Sequence, residues 1–172
     1  MEPVNESSLS WVETERGPTR FRRKRLADAA GGEDLGASLY EIPPGGKSWP
    51  YHYHTGNEEA LYVLSGEGTL RVGDGEQADE SEETDERHPV RACDYVAFPA
   101  GPASAHRIEN DGDDPLRVLV LSTMRDPDVT VYPDSGKIGV YAGSPPGGEP
   151  EERTVNGYYP RDGTVDYWEG EE

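Results

Sequence analysis

Four side chains in this sequence have the types and the spacing to hold a metal ion. His52 and His54 stand two apart in "WPYHYHTGNEEALYVLSGEG", residues 49–68. On a strand, residues two apart project from one face, so both imidazoles point one way and Tyr51 and Tyr53 the other. Glu59 opens the next run with Leu61 and Val63 on its face, while Glu58 points away. If that shared face is the inside of a barrel, two imidazoles and a carboxylate meet there. That set suits one divalent transition metal ion: Fe, Mn, Ni, Zn or Cu. His106 follows the turn "FPAGPASA" (98–105) and opens another strand. His88, at the edge of an acidic run, reads as exposed and not as a ligand. The plainer alternative is a barrel that has lost its metal. Glu59 weighs against it, because an isolated buried charge carries an effective penalty of several kcal/mol.

Short strands must position these residues. Apolar alternation between Gly, Pro and Asp punctuation predicts strands at 37–42, 59–64, 68–73, 90–92, 94–98, 105–110 and 116–123, with weaker ones at 129–132 and 138–141. Many short strands so spaced predict an all-β sandwich or barrel. Residues 1–36 read as an irregular extension of the same domain, with one short helix around 21–30 stopped by Gly31 and Gly32. Residues 74–88, rich in acids, read as a solvated loop. The tail, 143–172, is rich in Gly, Pro and acids, but Tyr158, Tyr159, Tyr167 and Trp168 predict packing on the barrel or on a second subunit. The barrel itself spans 37–142.

The chain has 172 residues and a formal net charge of −19, with 35 acidic and 16 basic residues, of which only Lys24, Lys47 and Lys137 are lysines. Such acidity repels nucleic-acid phosphates and excludes that partner class. Spread along the whole chain with little lysine, it points to a halophilic protein, because molar salt screens carboxylate repulsion within about 3 Å. The basic run Arg20, Arg22, Arg23, Lys24 and Arg25 reads as local pairing with the acidic body. No apolar run approaches the ~20 residues of a membrane span, and "MEPVNESSLSW" lacks the basic and apolar start of a signal peptide, so the expected location is cytoplasmic with no membrane partner. Cys93 is the single cysteine, which excludes an internal disulfide and a cysteine-based zinc framework. It reads as a partly buried turn or strand residue. Trp49, Tyr51 and Tyr53 fit either a substrate mouth or an intersheet core.

The spacing Gly46, His52, His54, Glu59, Gly66 resembles the first motif of the cupins. "CDYVAFPAGPASAHRIEN" (93–110) is similar to the second, with Pro99, Gly101, His106 and Asn110 in its pattern. Cys93 stands where a glycine is usual, and the Gly101–His106 gap is two residues longer than the basic pattern. The resemblance covers about residues 37–123. It implies a double-stranded β-helix, or jelly roll, in which His52, His54, Glu59 and His106 hold one metal ion inside the barrel.

The function implied is that of a metal-dependent single-domain cupin acting on a small molecule. Family analogy leans slightly to a dioxygenase over an isomerase or hydrolase; the alternative is a non-catalytic cupin that binds a sugar or an acidic metabolite. No separate acid–base residue is named by the sequence. Edge strands favour pairing, so a homodimer is expected.

Overall fold

A computed structural model describes residues 2–75 and 85–171. Thirteen strands run β1 (Val12–Arg16), β2 (Thr19–Arg25), β3 (Gly36–Ile42), β4 (Tyr53–His54), β5 (Glu59–Ser65), β6 (Glu67–Gly73), β7 (Glu86–Arg91), β8 (Tyr95–Phe98), β9 (Ala105–Glu109), β10 (Leu116–Ser122), β11 (Asp128–Tyr132), β12 (Lys137–Ala142) and β13 (Val155–Pro160). They form sheets ordered β1-β2-β3-β10-β5-β8, β13-β12-β11-β4 and β7-β6-β9. All the ladders are antiparallel, as in a jelly roll.

Alternation decides which side of each strand is buried. In β5, Leu61 and Val63 are buried, as are Leu116 and Val118 across the ladder in β10. With Phe21, Ile42, Phe98 and Ile108 they belong to one cluster that fills the barrel below the histidines. Tyr51 and Tyr53, on the opposite face from the histidines, pack with Ala105 and Val131 in a second cluster. They are therefore core residues, while Trp49 remains half exposed beside the cavity.

Three local expectations change. The helix read over 21–30 is real only from Leu26 to Ala30 (α1), ended by Gly31 at φ 75°. Residues 19–25 instead form β2, paired with β1 over Thr19–Arg23 and with β3 over Arg22–Arg25, and these two ladders override the helix propensity of the run. The N-terminal extension read as irregular and the Gly- and Pro-rich tail both carry strands: β1 and β2 continue the large sheet, and β13 continues the four-stranded one. Cys93 is exposed, not partly buried, and holds φ 76° at the position where the motif has glycine. Its amide still donates to Val63 O at 2.9 Å, so the turn forms despite the side chain. Of the acidic loop 74–88, residues 76–84 lie outside the described residues.

Candidate metal centre

A backbone pair brings the first histidine of one motif to the histidine of the other. His52 N donates to His106 O at 3.2 Å, and His106 N donates to His52 O at 2.9 Å. Residues that exchange both bonds stand directly opposite, so their side chains share a face. The rings lie 4.9 Å apart. His54 is fixed separately, by pairing of β4 with β11 opposite Thr130. Glu59 begins β5 opposite Phe98 of β8, and Phe98 stacks on His106 with centroids 3.8 Å apart. The longer turn between Gly101 and His106 is taken up by a 3₁₀ turn over Pro102–Ser104 and does not displace the histidine.

Glu59 Oε2 lies 3.4 Å from Nε2 of His54, 3.4 Å from Nε2 of His106 and 3.9 Å from Nε2 of His52. Ligand atoms about 2.1 Å from one ion stand roughly 3.0–3.4 Å apart in octahedral or tetrahedral geometry. The His54 and His106 spacings fall in that range, and His52 lies 0.5 Å beyond it, a shift that a side chain closing on an ion supplies. His52, His54 and Glu59 each offer a donor atom within 4.8 Å of the others, and His106 reaches the same carboxylate oxygen. Glu58 is exposed, as read, and His88 is exposed with Glu86 3.0 Å away.

Each imidazole is oriented through its other nitrogen. His52 Nδ1 lies 2.8 Å from Pro50 O, and His106 Nδ1 lies 2.9 Å from Ser104 O. A carbonyl only accepts, so both Nδ1 atoms donate and each ring turns its Nε2 toward Glu59. His54 Nδ1 lies 2.6 Å from Asp128 Oδ2 and 3.2 Å from Thr130 Oγ1. The buried Asp128 also accepts from Gly56 N at 3.0 Å. Ring nitrogen lone pairs and a carboxylate crowded this closely repel one another unless a cation or proton lies between them. That is the donor arrangement expected of a ligand set with its outer partners in place.

Electrostatics separates the histidines. Burial, with the neighbouring His106 and His54, pushes His52 down to about 3. Burial acts the same way on His54, but Glu59 and Asp128 outweigh it and push it up to about 10. Burial alone would raise Glu59; His54 and His106 instead hold it well below the usual carboxylate range. Without an ion, a protonated His54 takes the cation's place, its Nδ1–H donating to Asp128 and its Nε2–H facing Glu59.

The sequence reading missed Asp128, Thr130 and Tyr132. They alternate along β11, so all three face the site: two touch His54, and Tyr132 stacks on His52 at 5.9 Å. Their signal was a polar face on a strand whose other face, Val129 and Val131, is apolar. Above the histidines lies a cavity of about 450 Å³, walled in part by Arg23, Tyr40, Trp49 and Tyr132. A larger hollow near Lys137 and Tyr159 contains none of His52, His54, Glu59 and His106.

The profile described as "Cupin domain" matches residues 38–122. These residues are a cupin domain. The crystal structure of an Acidithiobacillus ferrooxidans protein, provisionally named a sugar phosphate isomerase, is similar over 93% of this chain and 90% of its own, with 29% identity and a TM-score of 0.73. A Silicibacter pomeroyi cupin named a sugar phosphate isomerase aligns over 95% of both chains, with 24% identity and a TM-score of 0.74. A Thermotoga maritima protein named a predicted oxalate decarboxylase is 23% identical over 71% of this chain and 98% of its own, with a TM-score of 0.56. The last two likenesses concern the fold alone. No curated protein matches the chain significantly. Among the described residues, no helix is long and apolar enough to cross a membrane.

Proposed function

We propose that this cupin is a metal-dependent enzyme for a small molecule, with His52, His54, Glu59 and His106 as ligands of one divalent transition metal ion. The carrying observation is the convergence of three Nε2 atoms on Glu59 Oε2 at 3.4–3.9 Å, beneath a cavity large enough for a metabolite. A bound ion would supply Lewis acidity or, if iron, a site for dioxygen activation.

Of the reaction classes open to such a site, isomerisation by proton transfer is the better supported. The Acidithiobacillus likeness favours it, and so does a chain of hydroxyls: Tyr132 Oη lies 3.3 Å from Tyr141 Oη, which donates to Tyr158 Oη at 3.0 Å. Tyr132 lines the cavity and Tyr158 is exposed, so the chain can carry a proton between substrate and solvent. Burial pushes Tyr132 up to about 12, which keeps its proton on the oxygen until a basic substrate atom accepts it. Asp128 and Thr130 hold His54 in place. Oxidative cleavage, slightly favoured by the sequence, rests on family resemblance alone.

The test is metal content of untagged protein purified in high potassium chloride without chelator, beside a His52→Ala/His106→Ala variant. About one metal per chain, lost in the variant, is expected. No stoichiometric metal after anaerobic reconstitution with each candidate ion overturns the proposal. With metal bound, deuterium from solvent entering a hydroxy-carbonyl substrate marks isomerisation, oxygen uptake marks dioxygenation, and binding without product marks a ligand-binding cupin.

A further inference from the structure

We infer that Arg23 is the anchor for an oxyanion on the substrate, a phosphate monoester or a carboxylate; this deepens the proposed function and rests on its cavity. The argument begins with β2. Its alternation sends Phe21, Arg23 and Arg25 to the barrel side, and Arg22 and Lys24 to the other. Arg22 there meets Glu41 at 2.6 Å, and Lys24 donates to Glu6 O at 2.7 Å, both beneath Trp11. Those two cations belong to the outer wall.

The inner pair divides in turn. Arg25 is bound to Asp28 at 2.8 Å and to Glu149 at 2.7 Å, and it also donates to Gly147 O at 3.2 Å. It ties the segment 147–149 to the rim and has no charge to spare. Arg23 meets no carboxylate among the described residues. Its guanidinium lies 5.9 Å from the Tyr40 ring and 5.8 Å from the Trp49 ring, and its one side-chain hydrogen bond among the described residues is a long one, 3.4 Å to Tyr40 Oη. Trp49 Nε1 donates to the same oxygen at 3.0 Å, which fixes both aromatic walls. A guanidinium carries five N–H donors in a planar fork matched to carboxylate and phosphate. Here nearly all remain free, half buried, in the cavity that contains His52, His54 and Glu59.

Charge sharpens the point. The chain has 35 acidic residues against 16 basic ones, so acids are abundant, yet none is placed on this arginine among the described residues. A partly desolvated cation kept open within an acidic protein provides the local positive potential that an anionic ligand needs to enter. The aromatic walls hold the fork in one orientation, so less side-chain freedom is lost on binding.

The test is calorimetric titration of chelator-treated protein with inorganic phosphate and, separately, malonate, at constant potassium chloride. Removing the metal keeps this result independent of the metal-content experiment. Saturable binding of at least one probe is expected, weakened at least tenfold in Arg23→Gln, less in Arg23→Lys, and unchanged in Arg16→Gln on the exposed β1. Circular dichroism and Tm establish that each variant is folded. Tighter phosphate than malonate binding marks a phosphate monoester, and the reverse order a carboxylate; either supports the assignment. No saturable binding of either probe, or equal binding by the parent and folded Arg23→Gln, overturns it.

Discussion

Replacing Asn110 by alanine tests whether the last residue of the second motif serves the fold or the metal. Asn110 is 2% exposed. Its Nδ2 donates to Ile42 O at 2.8 Å and Asp114 O at 2.9 Å, and its Oδ1 accepts from Gly112 N at 3.0 Å. The carbonyl of Ile42, a fully buried residue, cannot reach water after the change, which costs about 1–3 kcal/mol. Gly112 is half buried and Asp114 exposed, so their groups rehydrate and each lost bond costs about 0.5–1 kcal/mol. The sum is about 3 kcal/mol, or a Tm lower by roughly 6–12 °C for a chain of this size. Asn110 touches no donor of the metal centre, so Asn110→Ala should bind metal in full stoichiometry well below its Tm. Calorimetric unfolding of chelated protein, with metal content measured at low temperature, reads both quantities. An unchanged Tm together with lost metal would refute the assignment.

Asp128→Asn removes the carboxylate that holds His54 Nδ1 and should lower metal affinity ten- to a hundredfold, read by competition with a chromophoric chelator; an affinity within twofold of the parent contradicts its positioning role. Glu109 pairs with Lys47 at 2.8 Å and Arg87 at 2.5 Å; burial opposes its charged form, but both cations hold it below the usual glutamate range. Its contribution, about 1 kcal/mol given the exposed partners, is complete above the unfolded-state value and lost as pH falls through the lower folded value. Urea midpoints of the parent and Glu109→Gln should therefore differ near pH 7 and converge in acid. Cys93→Gly relieves a left-handed backbone and should raise stability by about 0.5–1 kcal/mol; a lower Tm would show that the thiol stabilises the turn. The edge strand β13 with exposed Tyr158 and Tyr159, and the exposed Tyr167 and Trp168 beyond it, should pair two chains, giving a dimer mass by light scattering in molar potassium chloride; a monomer mass rules this out.

The convergence of His52, His54 and Glu59 was legible because its geometry is local. His52 and His54 lie two apart on one face, and Glu59 shares a face with Leu61 and Val63, so the strand period alone aims all three inward. His106 was placed by resemblance, since no local rule says that its backbone pairs with His52, 54 residues earlier. Asp128 and Thr130 act across 74 and 76 residues, and only the register of β11 against β4 brings them to His54. The strand there was read from Val129 onward, on its apolar side; its polar side carried the information about the site.

Arg23 was hidden by a different error. "FRRKRLADAA" is made of good helix formers, and a helix over 21–30 would have spread its cations around a cylinder. As a strand, the same run sorts them by parity: Arg22 and Lys24 outward, Arg23 and Arg25 inward. Reading the cluster as local pairing then describes Arg22 and Arg25 correctly and misses Arg23, because pairing is decided by face and not by proximity in sequence. A secondary-structure error of five residues, 21–25, thus concealed a functional residue while leaving the core intact. Phe21 would be apolar and buried on either reading, whereas the direction of a charge depends entirely on which period the backbone takes.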